Sequence, residues 1–221
     1  MSKVAVYSGS FNPLHIGHLA IIRHLLEVAG FDMVYLIVSP KNPLKDSISS
    51  DSGHDRYKAA VEAVNRHFNI SSSRAAVVPM TPAPTEHPLA GGGMSSPQSA
   101  ALEDAKVKVD DIELTMPEPH YTIRTLEALK AREPENDFTL VMGADNLADI
   151  RRWKDYQRIL KDYGVAVYPR KNFSLETIKQ NLLNEDPAYK IHMIAAPMVD
   201  ISSTEIRNAL AIGEDISHLL M

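Results

Sequence analysis

The sequence has 221 residues, 44% of them apolar, which is enough to build one compact domain around a sizeable core. Its formal net charge is −5, so a broad electrostatic attraction to nucleic acid or to anionic lipid is not expected. The absence of cysteine excludes disulfides, thiolate catalysis and cysteine-ligated zinc.

The start of the chain and its hydropathy predict a cytoplasmic protein. The first apolar run, Val4–Tyr7, is shorter than the apolar core of a signal peptide, which spans about 7–15 residues. No apolar run approaches the ~18 residues of a membrane span. We therefore expect no association with a membrane.

Short apolar runs that are rich in Val, Ile and Tyr predict the strands. They are nearly continuous rather than alternating, which is typical of strands covered on both faces. The predicted strands are Val4–Tyr7, Met33–Val38, Lys106–Leu114, Phe138–Met142, Val165–Tyr168 and Ile191–Ile194.

Helical patterns lie between these runs. The predicted helices are Leu19–Ala29, His54–Phe68, Tyr121–Ala131, Tyr156–Leu160 and Leu175–Leu183. Because strands alternate with helices, the sequence predicts an α/β fold: a Rossmann-like, doubly wound parallel sheet in a single domain over residues 1–221.

Residues 71–105 interrupt this alternation. They contain five prolines, six serines and three consecutive glycines. Such a composition buries too little apolar surface to offset the entropy that is lost on ordering. We predict a long, flexible, low-complexity insert, which is either a passive loop or a lid over the active site.

Two histidines mark the first candidate site. His15 and His18 lie where the first strand passes into the first helix, a position that binds ligands in doubly wound sheets. A helix N-terminus there offers free N–H groups to phosphate. The spacing places both imidazoles on one helical face, and Gly17 between them leaves room for a ligand. Two surface histidines or a metal pair are the alternatives, although no Asp or Glu accompanies them.

A second candidate site follows the last predicted strand. Ser202 and Glu205 form a capping-box pattern, which predicts the N-terminus of a helix. The side chains that this helix start directs toward one region are Ser203, Thr204 and Arg207. An ordinary well-capped helix is the alternative interpretation.

Both sites resemble signatures of the nucleotidyltransferase superfamily. There a His/Thr-x-Gly-His element contacts the phosphates of ATP after a glycine-rich start like Gly9–Pro13, and an Ile-Ser-Ser-Thr-x-Ile-Arg element grips the triphosphate. In the middle of the chain, Gly143–Trp153, Tyr121–Leu126 and Pro40–Lys45 resemble elements of bacterial nicotinate-nucleotide adenylyltransferases.

The resemblance covers about residues 3–70 and 106–218, and it implies a reaction and a set of site residues. AMP would pass from ATP to nicotinate mononucleotide, giving nicotinate adenine dinucleotide and pyrophosphate in NAD biosynthesis. The implied catalytic residues are His15, His18 and Arg207. The implied ATP contacts are Gly9, Ser10, Phe11, His15, Gly17, His18, Gly143, Asp145, Ser203, Thr204 and Arg207. The implied mononucleotide contacts are Asn12, Lys45, Thr122 and Trp153.

Four of these residues also have other interpretations. Asp145 is predicted at the carboxyl edge of the sheet, where its carboxylate either accepts hydrogen bonds from ribose hydroxyls or caps a helix. Trp153 is the single tryptophan and lies among charged residues, which suits a platform for the pyridine ring, although a lone tryptophan is usually part of the core. For Thr122 the alternatives are a hydrogen bond to the pyridine base and a role as a helix N-cap. For Lys45 they are a contact with the mononucleotide phosphate and an ordinary surface lysine.

The expected partners are ATP and nicotinate mononucleotide, and not nucleic acid. Mg²⁺ is expected to arrive with ATP, because the sequence shows no dedicated carboxylate cage for a metal. The sequence does not indicate the oligomeric state. Two other functions stay open: another adenylyltransferase, such as the phosphopantetheine enzyme, and an inactive nucleotide sensor. The Gly-Ala-Asp…Trp stretch argues against the first, and the intact His15, His18 and Arg207 argue against the second.

Overall fold

The computed structural model of the chain describes residues 1–40, 52–68, 106–197 and 201–221. Within these residues six strands form one sheet, and every neighbouring pair is parallel. The strands are β1 (Lys3–Gly9), β2 (Met33–Val38), β3 (Val107–Asp110), β4 (Asp137–Gly143), β5 (Val165–Tyr168) and β6 (Ile191–Met193). Their order across the sheet, β3-β2-β1-β4-β5-β6, is the doubly wound Rossmann order and confirms the predicted fold class.

Helices connect these strands and cover both faces of the sheet. They are α1 (Ile16–Glu27), α2 (Gly53–Phe68), α3 (Ile112–Thr115), α4 (Thr122–Arg132), α5 (Ala144–Ala148), α6 (Tyr156–Arg158), α7 (Leu175–Glu185) and α8 (Ser203–Ala211). The predicted helix over Tyr156–Leu160 is α6 followed by a π-helical turn, Ile159–Tyr163. That turn ends at Gly164, whose φ of 79° suits glycine.

The strand prediction for Lys106–Leu114 is wrong in its second half. β3 ends at Asp110, and the following residues form α3. The Oδ1 atom of Asp110 accepts a hydrogen bond of 3.0 Å from the backbone N–H of Ile112. This local bond competes with strand pairing and turns the chain away from the sheet.

The strands bury side chains on both faces, which explains their nearly continuous apolar sequence. In β1, Val4 and Val6 pack on the face that α4, α5 and α7 cover. Ala5 and Tyr7 pack on the opposite face, which α1 and α2 cover. All four side chains are buried. Burial on both faces is the condition that favours an all-parallel sheet.

β1 lies between β2 and β4, so three strand ends meet at one edge of the sheet. Gly9 pairs with Val38 of β2, and Tyr7 pairs with Val141, two residues before Gly143. The chain passes from β1 to β2 and β3 on one side of β1, and then returns to β4 on the other side, so this edge is the point where doubly wound sheets bind ligands. The segments that follow β1 and β4 therefore start side by side at this edge.

Two predicted features lie outside the described residues. They are the insert over residues 71–105 and most of the Pro40–Lys45 loop, including Lys45. The single-domain organisation that includes the insert thus stays a prediction. In the described ranges, no helix is long and apolar enough to cross a membrane.

Candidate active site

The loop between β1 and α1 folds back on itself at Phe11. This residue has a φ of 43°, in the left-handed region that a bulky side chain rarely adopts. Its ring is 3% exposed and lies edge-on to Tyr7, with the ring centroids 5.5 Å apart, and to His18, at 5.3 Å. A Cβ atom at Gly9 would approach the Phe11 ring to 3.2 Å. Close packing of the loop against its own strand therefore favours glycine at position 9.

His15 and His18 form a reciprocal cap at the start of α1. His15 is the N-cap residue, and its Nδ1 atom accepts a hydrogen bond of 3.2 Å from the backbone N–H of Gly17. The Nδ1 atom of His18 accepts one of 3.2 Å from the backbone N–H of His15. The two ring centroids are 3.8 Å apart. The structure thus brings both imidazoles together as predicted, but through capping rather than through a shared helical face.

This geometry determines the tautomer of both rings. A ring nitrogen that accepts a hydrogen bond carries no proton, so each neutral imidazole has its proton on Nε2. Burial, assisted by the positive charge of Arg170, lowers the pKa of His15 to about 4. Burial also lowers the pKa of His18, with smaller contributions from His15 and Arg170. At neutral pH both side chains are uncharged and offer Nε2–H as a donor.

Gly17 makes room for a histidine ring. A Cβ atom at this position would come within 3.0 Å of the Cε1 and Nδ1 atoms of His15. Gly17 is itself buried. The absent side chain therefore permits the capping geometry of His15, a role that the sequence motif did not indicate.

The second predicted motif docks on the first. The capping box of α8 is present, because the Ser202 hydroxyl accepts from the Glu205 N–H at 3.2 Å and the Glu205 carboxylate accepts from the Ser202 N–H at 2.7 Å. The Nη1 atom of Arg207 donates a hydrogen bond of 2.7 Å to the carbonyl of Asn12. The Ser203 hydroxyl donates one of 3.2 Å to the carbonyl of Pro13. Residues from the two ends of the chain therefore form one continuous site.

Asp145 lies at the end of β4, in the first turn of α5. The N-cap of this helix is Gly143, so the alternative role of Asp145 as the helix cap is wrong. Its Oδ1 atom is buried and has no hydrogen-bond partner among the described residues. The Nε atom of Arg170 is 3.7 Å away, beyond hydrogen-bond distance. Because a buried carboxylate oxygen is normally paired, Asp145 has an acceptor available for a hydroxyl ligand.

The structure places Thr122 at the start of α4 and Trp153 against the core. Thr122 is the first residue of α4 and Tyr121 is the N-cap, so the N-cap alternative for Thr122 is wrong. The side chain of Tyr121 makes no capping hydrogen bond, and its carbonyl accepts from the N–H groups of Arg124 and Thr125, so the N–H groups of Thr122 and Ile123 are the ones at the helix start that a ligand can use. Trp153 is half-buried and packs against the core, and its Nε1–H is buried with no acceptor in the part of the chain that the structure describes.

Arg56 is not among the predicted site residues, yet it holds two loops of the site together. This side chain is 5% exposed. It donates hydrogen bonds to three backbone carbonyls: Ser10 at 2.6 Å, Ser39 at 2.8 Å and Pro40 at 2.7 Å. The loops after β1 and β2 are therefore joined through a guanidinium whose partners are main-chain atoms. No residue pattern could indicate such partners.

Arg170 is a second residue without an assigned role in the sequence motifs. It follows β5 by two residues and lies close to Asp145 and Tyr168. A signal was available, because the rule that selects Asp145 also applies to a charged residue just after the predicted strand Val165–Tyr168.

Comparison with known proteins identifies the class. The family model described as cytidylyltransferase-like matches residues 6–86 and 94–209. This match places the chain in the cytidylyltransferase-like family.

Curated relatives narrow the identification. The chain is 34% identical over 218 residues to the probable nicotinate-nucleotide adenylyltransferase of Flavobacterium johnsoniae, covering 99% of this chain and 91% of the relative. It is 36% identical over 219 residues to the protein of the same name from Flavobacterium psychrophilum, again covering 99% and 91%. Within the larger class, the chain belongs to the nicotinate-nucleotide adenylyltransferase family.

Solved structures share the fold. The Plasmodium falciparum nicotinic acid mononucleotide adenylyltransferase, solved in complex with NaAD, superposes with a TM-score of 0.66 at 20% identity, covering 99% of this chain and 88% of that one. A putative nicotinate-nucleotide adenylyltransferase from Vibrio parahaemolyticus superposes with a TM-score of 0.57, also at 20% identity, covering 100% and 94%.

Proposed function

We infer that the protein is a nicotinate-nucleotide adenylyltransferase, which transfers AMP from ATP to nicotinate mononucleotide and releases pyrophosphate. The product is nicotinate adenine dinucleotide, a precursor of NAD. The curated relatives carry this name over nearly the whole chain. The observation in the structure that best supports the proposal is the His15–His18 cap, which lies at the switch point of the sheet with Arg207 docked beside it.

The reaction requires no protein nucleophile. The 5′-phosphate of the mononucleotide is already anionic at neutral pH, and it attacks the α-phosphorus of ATP in line as pyrophosphate leaves. Catalysis then rests on positioning and on stabilisation of developing charge. His15 and His18 donate Nε2–H to oxygens around the α-phosphorus, with His18 the main contact in the transition state. Because both rings are neutral donors, neither has to change its protonation state during turnover.

The β- and γ-phosphates lie at the start of α8. Ser203 and Thr204 provide hydroxyls in the first turn of this nine-residue helix, where the backbone also favours anions. Arg207 adds a positive charge and is oriented by its bonds to Asn12 and Thr204. The other proposed ATP contacts are Gly9, Ser10, Phe11, Gly17, Gly143 and Asp145, with the Asp145 carboxylate on ribose hydroxyls.

The mononucleotide lies toward α4. Thr122 and the uncapped N–H groups beside it are donors that suit the carboxylate of nicotinate. The partly exposed face of Trp153 stacks on the pyridine ring. Asn12 and Lys45 complete the proposed contacts, with Lys45 on the phosphate.

Transfer of AMP from ATP is expected to use a divalent metal ion, and we propose Mg²⁺ carried with ATP. In the described ranges, no group of three or more His, Asp or Glu side chains could hold a metal ion. We propose that phosphate oxygens and water provide most of its ligands, which is a common arrangement for Mg²⁺.

The test is turnover with ATP and each of three acceptors: nicotinate mononucleotide, nicotinamide mononucleotide and phosphopantetheine. Release of pyrophosphate and formation of the adenylylated product are both measured. We expect the nicotinate compound to be the best substrate. Preference for phosphopantetheine would assign the protein to another adenylyltransferase, and binding of ATP without any pyrophosphate release would indicate an inactive sensor.

A further inference from the structure

The side chain of Arg170 folds back across the carboxyl edge of the sheet. Its guanidinium carbon lies 5.0 Å from the centroid of the Tyr168 ring, and its Nη2 atom is 3.3 Å from the Tyr168 hydroxyl oxygen. Its Nε atom is 3.7 Å from Oδ1 of Asp145. A side chain that starts beyond β5 therefore reaches the end of β4.

Gly143 permits this crossing. A Cβ atom at Gly143 would come within 3.1 Å of Nε and 3.2 Å of Cγ of Arg170, and within 2.3 Å of Oδ1 of Asp145. A Cβ atom would force the Asp145 carboxylate to move and would require a small shift of Arg170, so glycine at position 143 suits the arrangement of both side chains at this edge. The glycine of the Gly-Ala-Asp stretch thus accommodates an arginine from the neighbouring strand.

The contacts that hold Arg170 in place are weak. Its side chain is 44% exposed, and the stacking on Tyr168 leaves the edge of the guanidinium accessible. Neither of its two polar contacts is a strong hydrogen bond, because one is long and the other exceeds hydrogen-bond distance. A planar fork of N–H donors in this state is suited to two oxygens of one phosphate.

Arg170 also supplies positive charge that the two histidines do not provide. ATP and a mononucleotide bring several negative charges, whereas His15 and His18 are neutral at pH 7. Arg207 already donates to Asn12 and Thr204. The positive charge of Arg170 lies near enough to the imidazoles to oppose the protonation of both. The same field attracts a phosphate that comes to the two histidines.

We propose that Arg170 binds the reacting phosphates directly, leaving Asp145 when ATP enters and pairing with oxygens of the α-phosphate beside His15 and His18. The Asp145 carboxylate, whose Oδ1 atom has no hydrogen-bond partner among the described residues, then accepts from the ribose hydroxyls of the same nucleotide. This role rests on the adenylyltransferase function proposed above.

The test compares Arg170→Ala and Arg170→Lys with the wild type in steady-state turnover of ATP and nicotinate mononucleotide. We expect Arg170→Ala to lower kcat by roughly 10²-fold, as loss of a transition-state donor does. Arg170→Lys should lower kcat less than Arg170→Ala does, because lysine keeps the positive charge but lacks the planar set of N–H donors of arginine. The matched control is Arg158→Ala, which removes an exposed arginine paired with Glu127 and should leave kcat unchanged.

A second measurement separates this role from a structural one and from the proposed function. AMP, which carries the α-phosphate, is titrated into each variant by calorimetry, and the thermal midpoint is recorded. We expect weaker AMP binding in Arg170→Ala at an unchanged midpoint. Equal kcat and equal AMP affinity in Arg170→Ala and the wild type would overturn the proposal. If the wild type shows no turnover with any acceptor, the proposed function fails, and the AMP titration still decides whether Arg170 binds phosphate.

Discussion

The Glu113 carboxylate accepts a hydrogen bond of 2.8 Å from the Thr125 hydroxyl, which joins α3 to α4 inside the protein. Its other oxygen accepts one of 2.7 Å from the Ser39 hydroxyl, which lies 3.0 Å from the hydroxyl of Ser8. Because a carboxylate only accepts, Ser39 donates to Glu113, and Ser8 must in turn donate to Ser39. This directed chain connects the ends of β1 and β2 to the helix that begins at Thr122.

We predict that Glu113→Ala destabilises the fold. The substitution leaves the hydroxyls of Ser39 and Thr125 without their acceptor, at about 1–3 kcal/mol for each unsatisfied buried group. Glu113→Gln should cost less, because the amide keeps one acceptor and the hydroxyls rotate. The free energy of unfolding in urea measures the effect. Glu127→Ala, at an exposed ion pair, is the control and should change stability by less than about 0.5 kcal/mol. If Glu113→Ala lowers the free energy of unfolding no more than Glu127→Ala does, the hydrogen bonds of Glu113 contribute little to stability.

We predict that His18→Ala lowers kcat by roughly 10²–10³ while the fold persists, because the substitution removes a neutral donor to the α-phosphate. His192→Ala, at an exposed histidine of β6, is the matched control and should retain full activity. Steady-state kinetics with circular dichroism checks both outcomes. Near wild-type turnover of the His18 variant would remove this residue from the mechanism.

The pKa of His15 predicts a loss of stability in mild acid. The folded-state pKa, about 4, lies below the usual value of 6.5, so the unfolded chain binds a proton first as the pH falls. The contribution of neutral His15 is complete above pH 6.5 and is lost progressively toward pH 4, on the order of 3 kcal/mol in total. The lowered pKa of His18 acts in the same direction.

Urea unfolding of the wild type and of His15→Asn between pH 7.5 and pH 4.5 measures this dependence. Asparagine is a good N-cap that does not titrate, so the variant keeps the helix start and loses one proton-linked group. We expect a shallower dependence on pH in His15→Asn. The same slope in both proteins would contradict the assignment to His15.

We predict a preference for nicotinate over nicotinamide mononucleotide of at least about tenfold in kcat/KM, which corresponds to ~1.4 kcal/mol. A carboxylate accepts on both oxygens and suits the Thr122 hydroxyl and the uncapped N–H groups of α4. A carboxamide would place its N–H₂ group against one of these N–H or O–H donors, and such a buried mismatch costs ~1–3 kcal/mol.

Two variants dissect this preference. Thr122→Ala should narrow the ratio of kcat/KM between the two mononucleotides. Trp153→Ala should weaken both substrates equally, because stacking does not depend on the ring substituent. Equal turnover of the two substrates by the wild type, or a preference for the amide, would contradict the prediction.

Local sequence was a good guide where the cause is local. Val165–Tyr168 and Met33–Val38 are strands with the predicted bounds, since nearly continuous apolar runs of this length fit strands buried on both faces. The capping box of Ser202 and Glu205 formed as predicted, because both partners lie within one helical turn. Lys106–Leu114 was misjudged because the side chain of Asp110 competes with strand pairing.

The sequence by itself determined the alternation of strands and helices, the order of the motifs and their place after strands, since these follow from periodicity and short-range spacing. Only the tertiary structure decided that Glu113 orients three hydroxyls and that Arg170 crosses Gly143 to reach Asp145. Each of these depends on the direction of a side chain and on contact between segments distant in sequence. Such contacts arise from packing, which no local pattern encodes.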